Sequence, residues 1–269
     1  MTLKTSTTGS YPPIYDPELP TGNFSSEEFE GKVSKSIVRA INDQLELGID
    51  ILVDGQVRDD IVSLFAKHLP AFDEKQLPYR IVGKIHPFDE SITVHDYKQA
   101  VDLIPEDKRK PAKAHVTGPM TIARGSYLDT ITYKSLDDEN LIMDLAEAIV
   151  QEAKYLVEAG AEIVQIDEPV LSKGVDLELA FRAMEKIIEV GGIPFPGLHA
   201  CGNITGIFDA IVKNAPVKMI SIEGEWLRDK SLNHVDENFL QNEGKVIGLG
   251  CVRVSDYKVE RLLMLQNFL

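Results

Sequence analysis

The sequence is poor in cysteine and in aromatic residues. Its 269 residues include two cysteines and one tryptophan, and aromatic residues make up only 7%. Two cysteines exclude a disulfide-rich secreted scaffold and are typical of a reducing compartment, so we expect a cytoplasmic protein. The sequence also has no charged-then-apolar leader and no apolar run long enough to span a bilayer, which argues against export and membrane insertion.

Basic residues are the scarcer charge. There are 28 Lys and Arg against 43 Asp and Glu, which gives a formal net charge of −15. A surface of this sign repels phosphate backbones and anionic lipid headgroups, so we expect neither a nucleic acid nor a membrane as partner. The hydrophobic content of 43% is sufficient for one large core.

Strand-like and helical patterns alternate along the chain. Strands are predicted near residues 4–9, 50–54, 112–117, 162–167, 197–201, 217–222 and 245–250. This alternation favours a parallel sheet covered by helices, and no strand leads into the Gly-x-Gly-x-x-Gly turn of a dinucleotide-binding sheet. We therefore predict an α/β fold, a (β/α)8 TIM barrel whose last strand is missing from the sequence. Residues 1–269 are expected to form one catalytic barrel domain with an excursion at about 70–111.

Polar residues cluster where the predicted strands end. In a (β/α)8 barrel the active site is built at the carboxyl ends of the strands, so these side chains are predicted to surround one mouth. They are Ser10, Asp54 to Gln56, Thr117, Asp167, His199, Cys201 and Glu223.

The stretch "GLHACGN" contains a possible metal site. His199 and Cys201 are two residues apart on a predicted strand, so both side chains point to the same face. Imidazole nitrogen and thiolate sulfur suit zinc, and Glu223 at the end of the next strand could add an oxygen ligand. A His-x-Cys pair alone is a weak signal, because a hydrogen-bonded histidine beside a buried thiol is the commoner arrangement. A zinc ion with an exchangeable position could hold a substrate thiol as a nucleophilic thiolate.

Six motifs together resemble a known family. They are "TTGSYP" at 7–12, "LVDGQ" at 52–56, "HVTGPMTI" at 115–122, "QIDEP" at 165–169, "HACGN" at 199–203 and "SIEGE" at 221–225. In content and order they are similar to the C-terminal catalytic barrel of cobalamin-independent methionine synthase, in a short core form that lacks the N-terminal domain. The resemblance implies a zinc-dependent S-methyltransferase that forms methionine from homocysteine on a barrel of the methionine synthase and uroporphyrinogen decarboxylase type.

The same resemblance implies the roles of individual residues. The implied zinc ligands are His199, Cys201 and Glu223. Asp167 would be the catalytic residue, which holds the amino group of homocysteine, and the loop around Ser10 would take its carboxylate. The implied substrate-binding residues are Thr8, Gly9, Ser10, Gln56, Thr117 and Asp167.

The sequence departs from the family pattern at the zinc site. The family uses a second zinc cysteine in an Asp-Cys-Gly motif on the last barrel strand, and no such motif occurs before Leu269. Cys251 aligns with the preceding strand, so it is not assigned this role. Either the missing ligand lies beyond Leu269, or three protein groups and solvent hold the metal.

Two other departures concern the methyl donor. Folate-dependent members have a tryptophan just after the Thr-Gly-Pro-x-Thr motif, where this chain has "ARGS" at 123–126, and Ser255 falls near the position of their acid histidine. Methylcobalamin needs neither group, because its cob(I)alamin leaving group departs without a proton. We therefore expect methylcobalamin as methyl donor and a methylated corrinoid protein as partner. Gln56 stands where folate enzymes have glutamate.

Several alternatives remain open at this point. Within the same fold the acceptor could be another thiol such as coenzyme M, which has no amino group for Asp167 to hold, or the donor could be methyltetrahydrofolate. A different class is a non-catalytic, corrinoid-handling binding subunit, which zinc content would distinguish from an enzyme. Without the family match, Asp167 and Glu168 would be interpreted as caps of a strand-to-helix loop.

Overall fold

A computed structural model describes residues 3–15, 25–73, 78–108, 110–223 and 237–250. The helices are α1 Ser26–Glu46, α2 Ile61–Ala66, α3 Val94–Asp102, α4 Pro119–Arg124, α5 Glu139–Glu158, α6 Leu177–Gly191, α7 Phe208–Asn214 and α8 Glu237–Glu243. The strands are β1 Phe72–Asp73, β2 Arg80–Ile81, β3 Lys113–Thr117, β4 Tyr127–Leu128, β5 Ile163–Asp167, β6 Phe195–Ala200, β7 Met219–Glu223 and β8 Val246–Gly250.

Seven parallel segments follow one another in chain order. Strands β3, β5, β6, β7 and β8 form one sheet in that order, with parallel pairing throughout. Parallel bridges from Ser6 to Ile51 and from Leu52 to Ala112 add the first two segments. This order lacks the switch point of a doubly wound sheet and is that of a (β/α)8 barrel, so the predicted fold class is confirmed. Each of the seven predicted runs contains one of these segments, and an eighth is not among the described residues.

Long helices connect the parallel segments and cover the sheet. The helix α5 begins after Asp138 and ends near Gly160. The Asp138 carboxylate accepts a hydrogen bond from the backbone N–H of Asn140, which caps the helix. Gly160 has a φ of 96°, a left-handed conformation that favours glycine at a helix end.

The region predicted as an excursion contains a small sheet and one barrel helix. β1 pairs antiparallel with β2, and β4 adds to β2 in parallel. α3 then packs on α1 between the second and third parallel segments, where the Gln99 amide donates to Ser34. The helix α2 is short, because it ends at Ala66 and the chain continues in turns.

The strands of the barrel separate apolar from polar side chains. The positions facing the helices are apolar and no more than 3% exposed: Ala114, Val116, Val164, Ile166, Leu198, Ala200, Ile220 and Ile222. The alternate positions include the buried polar residues Lys113, His115, Thr117, Gln165 and Asp167. No helix in the described ranges is both long and apolar enough to cross a membrane.

Candidate active site

Three predicted site residues, from distant parts of the chain, meet in one hydrogen-bonded chain. The backbone N–H of Ser10 donates to Gln56 Oε1 at 3.2 Å, and Gln56 Nε2 donates to Asp167 Oδ2 at 2.9 Å. The other carboxylate oxygen, Asp167 Oδ1, accepts from Gln165 Nε2 at 2.7 Å. Gln56 and Asp167 are 111 residues apart in sequence, so only the barrel brings them together.

Backbone strain is concentrated at the same place. Ser10 and Gln56 have φ angles of 40° and 47°, and they are the non-glycine residues with positive φ in the described part of the chain. Such a conformation costs about 1–3 kcal/mol per residue and persists where surrounding contacts impose it. A Cβ added to Gly9, the residue before Ser10, would lie 2.0 Å from Gln56 Oε1, so glycine permits this close approach. Residues with strained backbones cluster at active sites, so Ser10 and Gln56 mark this loop as part of the candidate site.

Buried polar side chains support the loop from the inner face of the sheet. Lys113 Nζ donates to Gln165 Oε1 at 2.7 Å and to the carbonyl of Thr7 at 3.1 Å, and His115 Nε2 lies 2.8 Å from the carbonyl of Thr8. Burial lowers the pKa of Lys113 to about 8 and that of His115 to about 4. The roles of Lys113 and His115 were not predicted from the sequence, although their alternation with the apolar residues Ala114 and Val116 was a visible signal.

Asp54 is a second, half-buried carboxyl beside Gln56. Its Oδ1 accepts a hydrogen bond from the backbone N–H of Gln56 at 2.9 Å. Burial raises the pKa of Asp54 to about 6, and the nearby carboxylates of Asp96 and Asp167 act in the same direction. Asp54 therefore contributes to the shape of the strained turn, and its charge depends on pH near neutrality.

Neighbouring Asp167 and Glu168 have different roles. Glu168 is fully buried and accepts hydrogen bonds from the backbone N–H groups of Met120 and Thr121 and from the Thr121 hydroxyl. Burial raises the pKa of Glu168 to about 7. A Cβ at Gly118 would lie 2.1 Å from the Glu168 carboxyl carbon, so glycine is required for this packing. The capping role considered for both carboxylates therefore fits Glu168, whereas Asp167 faces the site.

Thr117 lies in the same row of the sheet as Asp167, with which it pairs in register. Its side chain is 2% exposed, and its hydroxyl donates to the carbonyl of Ile61 at 2.7 Å. This bond ties the end of β3 to the beginning of α2. Substrate binding by Thr117 stays a prediction.

The three residues expected to bind zinc lie on two adjacent strands. Register pairing places His199 opposite Ser221 and Ala200 opposite Ile222, so Cys201 and Glu223 follow at corresponding positions. His199 Nδ1 is 3.2 Å from the Ser221 hydroxyl, which leaves Nε2 as the ring nitrogen available to a ligand. Glu223 Oε2 accepts from the backbone N–H of Gly202 at 2.9 Å.

The chemistry of these donors suits zinc, while their arrangement is not a preformed metal cluster. Burial lowers the pKa of His199, and burial followed by the charge of Glu223 raises the pKa of Cys201, so imidazole and thiol are neutral. A bound cation would instead lower the pKa of the Cys201 thiol. Across the described ranges, no group of three or more His, Cys, Asp or Glu side chains is placed to hold a metal ion. Zinc binding stays a prediction, and Cys251, Trp226 and Ser255 lie outside the described residues.

Comparison with known proteins identifies the family. The model of the family described as "Cobalamin-independent synthase, Catalytic domain" matches residues 3–185. Methionine synthase of Methanothermobacter marburgensis is 34% identical over 98% of this chain and 86% of its own length. Methionine synthase of Methanocaldococcus jannaschii is also 34% identical, over 95% of this chain and 79% of its own length.

Solved structures agree with this assignment. A B12-independent methionine synthase from Shewanella sp. W3-18-1, in complex with selenomethionine, superposes with a TM-score of 0.79 at 25% identity and covers 98% of this chain and 86% of that one. A Listeria monocytogenes protein described as a putative B12-independent methionine synthase shares the fold, with a TM-score of 0.74 at 16% identity, covering 92% of this chain and 78% of its own. The chain therefore belongs to the cobalamin-independent methionine synthase family.

Proposed function

We propose that this protein forms methionine by transferring a methyl group to the sulfur of homocysteine. The observation that carries the proposal is the hydrogen-bonded chain from Ser10 through Gln56 to Asp167. It places a carboxylate beside a strained loop with backbone N–H groups. These are the two partners that the ammonium and carboxylate of an amino acid require. The selenomethionine bound to the Shewanella relative supports an amino-acid site in this barrel.

In this proposal Asp167 binds the substrate ammonium, and the loop Thr8, Gly9 and Ser10 binds the substrate carboxylate. Gln56 links the two, because its amide contacts both Ser10 and Asp167. The Gln165 amide also donates to Asp167, which fixes the orientation of the carboxylate before substrate arrives. Holding both ends of the amino-acid backbone limits the side-chain sulfur to a small region of the mouth, which favours attack on the methyl carbon.

We also propose that His199, Cys201 and Glu223 hold zinc. Imidazole, thiolate and carboxylate are zinc donors, and adjacent strands supply them at corresponding positions. Bound zinc would supply Lewis-acid chemistry that lowers the pKa of the substrate thiol. The Ser221 hydroxyl beside His199 Nδ1 would orient the ring, as partners of metal-binding histidines commonly do. To bind the metal, the Glu223 carboxylate would give up the hydrogen bond that it accepts from the Gly202 N–H.

Methylcobalamin, delivered by a corrinoid protein, is the proposed methyl donor. The residues after the Thr-Gly-Pro-x-Thr motif support this choice. Arg124 pairs with Asp137, and the buried Ser126 hydroxyl donates to the carbonyl of Ile122. Residues 123–126 therefore present no aromatic surface on which a pterin could stack. A corrinoid leaving group also needs no proton, so the absence of an acid at Ser255 is not an obstacle.

An activity assay tests the reaction and the donor together. The purified full chain is incubated with homocysteine, zinc and either methylcobalamin or methyltetrahydrofolate, and methionine is measured by mass spectrometry. We expect methionine from methylcobalamin and none above background from methyltetrahydrofolate. Methionine from the folate alone would reject the proposed donor, and no methionine from either would reject the proposed reaction.

Metal analysis of two cysteine variants tests the zinc site. We expect close to one zinc per wild-type chain, loss of that zinc in Cys201→Ser, and retention of it in Cys251→Ser. The two variants are matched, because each replaces one of the two cysteines of the sequence by serine. Full zinc content in Cys201→Ser would contradict the proposed ligand set.

A further inference from the structure

We propose that Lys113, His115 and Gln165 are positioning residues that orient the Thr8–Gly9 peptide, so that the Gly9 N–H binds the carboxylate of the amino-acid substrate. The inference rests on the proposed function and goes beyond it. It assigns a role to three inner-face side chains that do not themselves contact the substrate. It also explains why a barrel interior, which apolar side chains commonly fill, is polar at this point.

One carbonyl oxygen receives three side-chain donors. Thr8 O lies 2.8 Å from His115 Nε2, 3.3 Å from Gln165 Nε2 and 3.4 Å from Lys113 Nζ. Since a carbonyl oxygen only accepts, His115 must carry its proton on Nε2. The opposite ring nitrogen, Nδ1, is buried without a hydrogen-bond partner in the described structure, so the contact to Thr8 is the polar contact that orients this ring.

The geometry of the Thr8–Gly9 peptide relates this contact to the direction of the Gly9 N–H. In a planar trans peptide the C=O and the following N–H point in opposite directions. The carbonyl of Thr8 is directed at Lys113, His115 and Gln165 on the inner face of β3 and β5, so the Gly9 N–H points away from these three side chains. No hydrogen bond to the Gly9 N–H is found among the described residues, whereas the next N–H, that of Ser10, is occupied by Gln56 Oε1. Donors on the carbonyl also polarise the peptide and strengthen its N–H as a donor.

The burial of the three side chains argues against a merely structural role. Lys113 is 2% exposed, Gln165 is fully buried, and His115 is 6% exposed. Burying an amine whose hydrogen bonds go to neutral oxygens is costly, and apolar side chains would fill the same volume at lower cost. The arrangement is understandable if the orientation of the loop matters more than stability.

Gln165 also couples the two ends of the amino-acid site. Its Nε2 contacts both Thr8 O and Asp167 Oδ1, while its Oε1 accepts from Lys113. One amide therefore fixes the spacing between the N–H that would meet the substrate carboxylate and the Asp167 carboxylate that would meet the substrate ammonium. This spacing selects α-amino acids over ligands that have only one of the two groups.

Calorimetric binding of two ligands tests the inference. The ligands are methionine and 3-(methylthio)propylamine, which is methionine without its carboxylate. Wild type should bind methionine more tightly, by about tenfold to a hundredfold, as expected for one charge-assisted hydrogen bond. Lys113→Met and His115→Phe should lose most of this preference. The two variants should bind methionine more weakly than wild type and bind 3-(methylthio)propylamine about as well. Circular dichroism should confirm that both variants fold.

A matched control separates positioning from general destabilisation. Glu152 is equally buried and holds the backbone N–H groups of Ile92 and Thr93, away from the loop. Glu152→Gln should lower stability and keep the full preference for methionine. If folded Lys113 and His115 variants keep the wild-type preference, or weaken both ligands equally, the inference is overturned while the proposed function stands. If wild type binds neither ligand, the proposed function fails and the inference with it.

Discussion

The two faces of the same barrel strands have opposite chemistry. On β3 and β5, the residues facing the helices are Ala114, Val116, Val164 and Ile166, whereas the residues between them are Lys113, His115, Thr117, Gln165 and Asp167. Both sets are almost fully buried. The outer set is stabilised by non-directional apolar contact, which depends on volume and area. The inner set is stabilised by directed hydrogen bonds, which depend on a partner at a fixed position. Burial alone therefore does not identify a residue of the apolar core.

Asp167 and Glu168 show the same contrast between two adjacent residues. Asp167 points to the inner face, where two glutamine amides hold it beside the strained loop. Glu168 points outward and holds the beginning of α4. If this division is correct, inner-face substitutions change ligand binding and outer-face substitutions change stability.

The largest effect is expected from Asp167→Asn. Removing one partner of a buried ion pair costs about 3–5 kcal/mol, so the KM for homocysteine should rise by roughly two to four orders of magnitude. Steady-state kinetics at saturating methyl donor would measure it. The control is Glu168→Gln, the adjacent carboxyl on the other face, which should leave this KM within about twofold. An unchanged KM in Asp167→Asn would contradict the assigned ammonium contact.

Ile166→Ala, at the outer-face residue that precedes Asp167, should change stability and leave substrate binding unchanged. Ile166 is fully buried against the helices, and its truncation should lower the free energy of unfolding by about 2–5 kcal/mol. Urea denaturation would measure the loss, and the homocysteine KM of the folded variant should be unchanged. A large KM increase would show that the two faces are not independent.

Glu168 provides a pH-dependent test of the outer face. Its pKa in the folded protein is raised to about 7 from an ordinary value of 4.5. The stability that the protonated carboxyl contributes is therefore complete below pH 4.5 and is lost as the pH rises through 7. The loss is roughly 3 kcal/mol. Wild type should lose this amount relative to Glu168→Gln between pH 4.5 and pH 8, by urea denaturation. A difference that is constant with pH would contradict the raised pKa.

The smallest effect is expected from Thr117→Val. Thr117 belongs to the inner face, yet its hydroxyl donates to the carbonyl of Ile61 and not to the loop. Its loss should lower the free energy of unfolding by about 1 kcal/mol and leave the homocysteine KM within about threefold. A tenfold rise in KM would instead support the substrate contact that the family resemblance implies for Thr117.

Much of the candidate site was predictable, because strand ends in a parallel barrel share one edge. Ser10, Gln56 and Asp167 were expected together, and the structure joins them by hydrogen bonds. The support by Lys113 and His115 was not predicted, because it depends on the path of the Thr8 backbone, more than 100 residues away in sequence. The different roles of Asp167 and Glu168 also needed the structure, because a motif does not show which neighbour each carboxylate meets.

The order of strands and helices, the alternation of polar and apolar positions, and the family motifs can all be read from the amino-acid sequence. The first two are local properties, since a strand's period of two residues and a helix's period of 3.6 are present in any short window. Which buried polar groups meet follows from the folded barrel alone. A hydrogen bond requires two atoms within about 3 Å of each other, and the packing of distant segments around the barrel sets that distance.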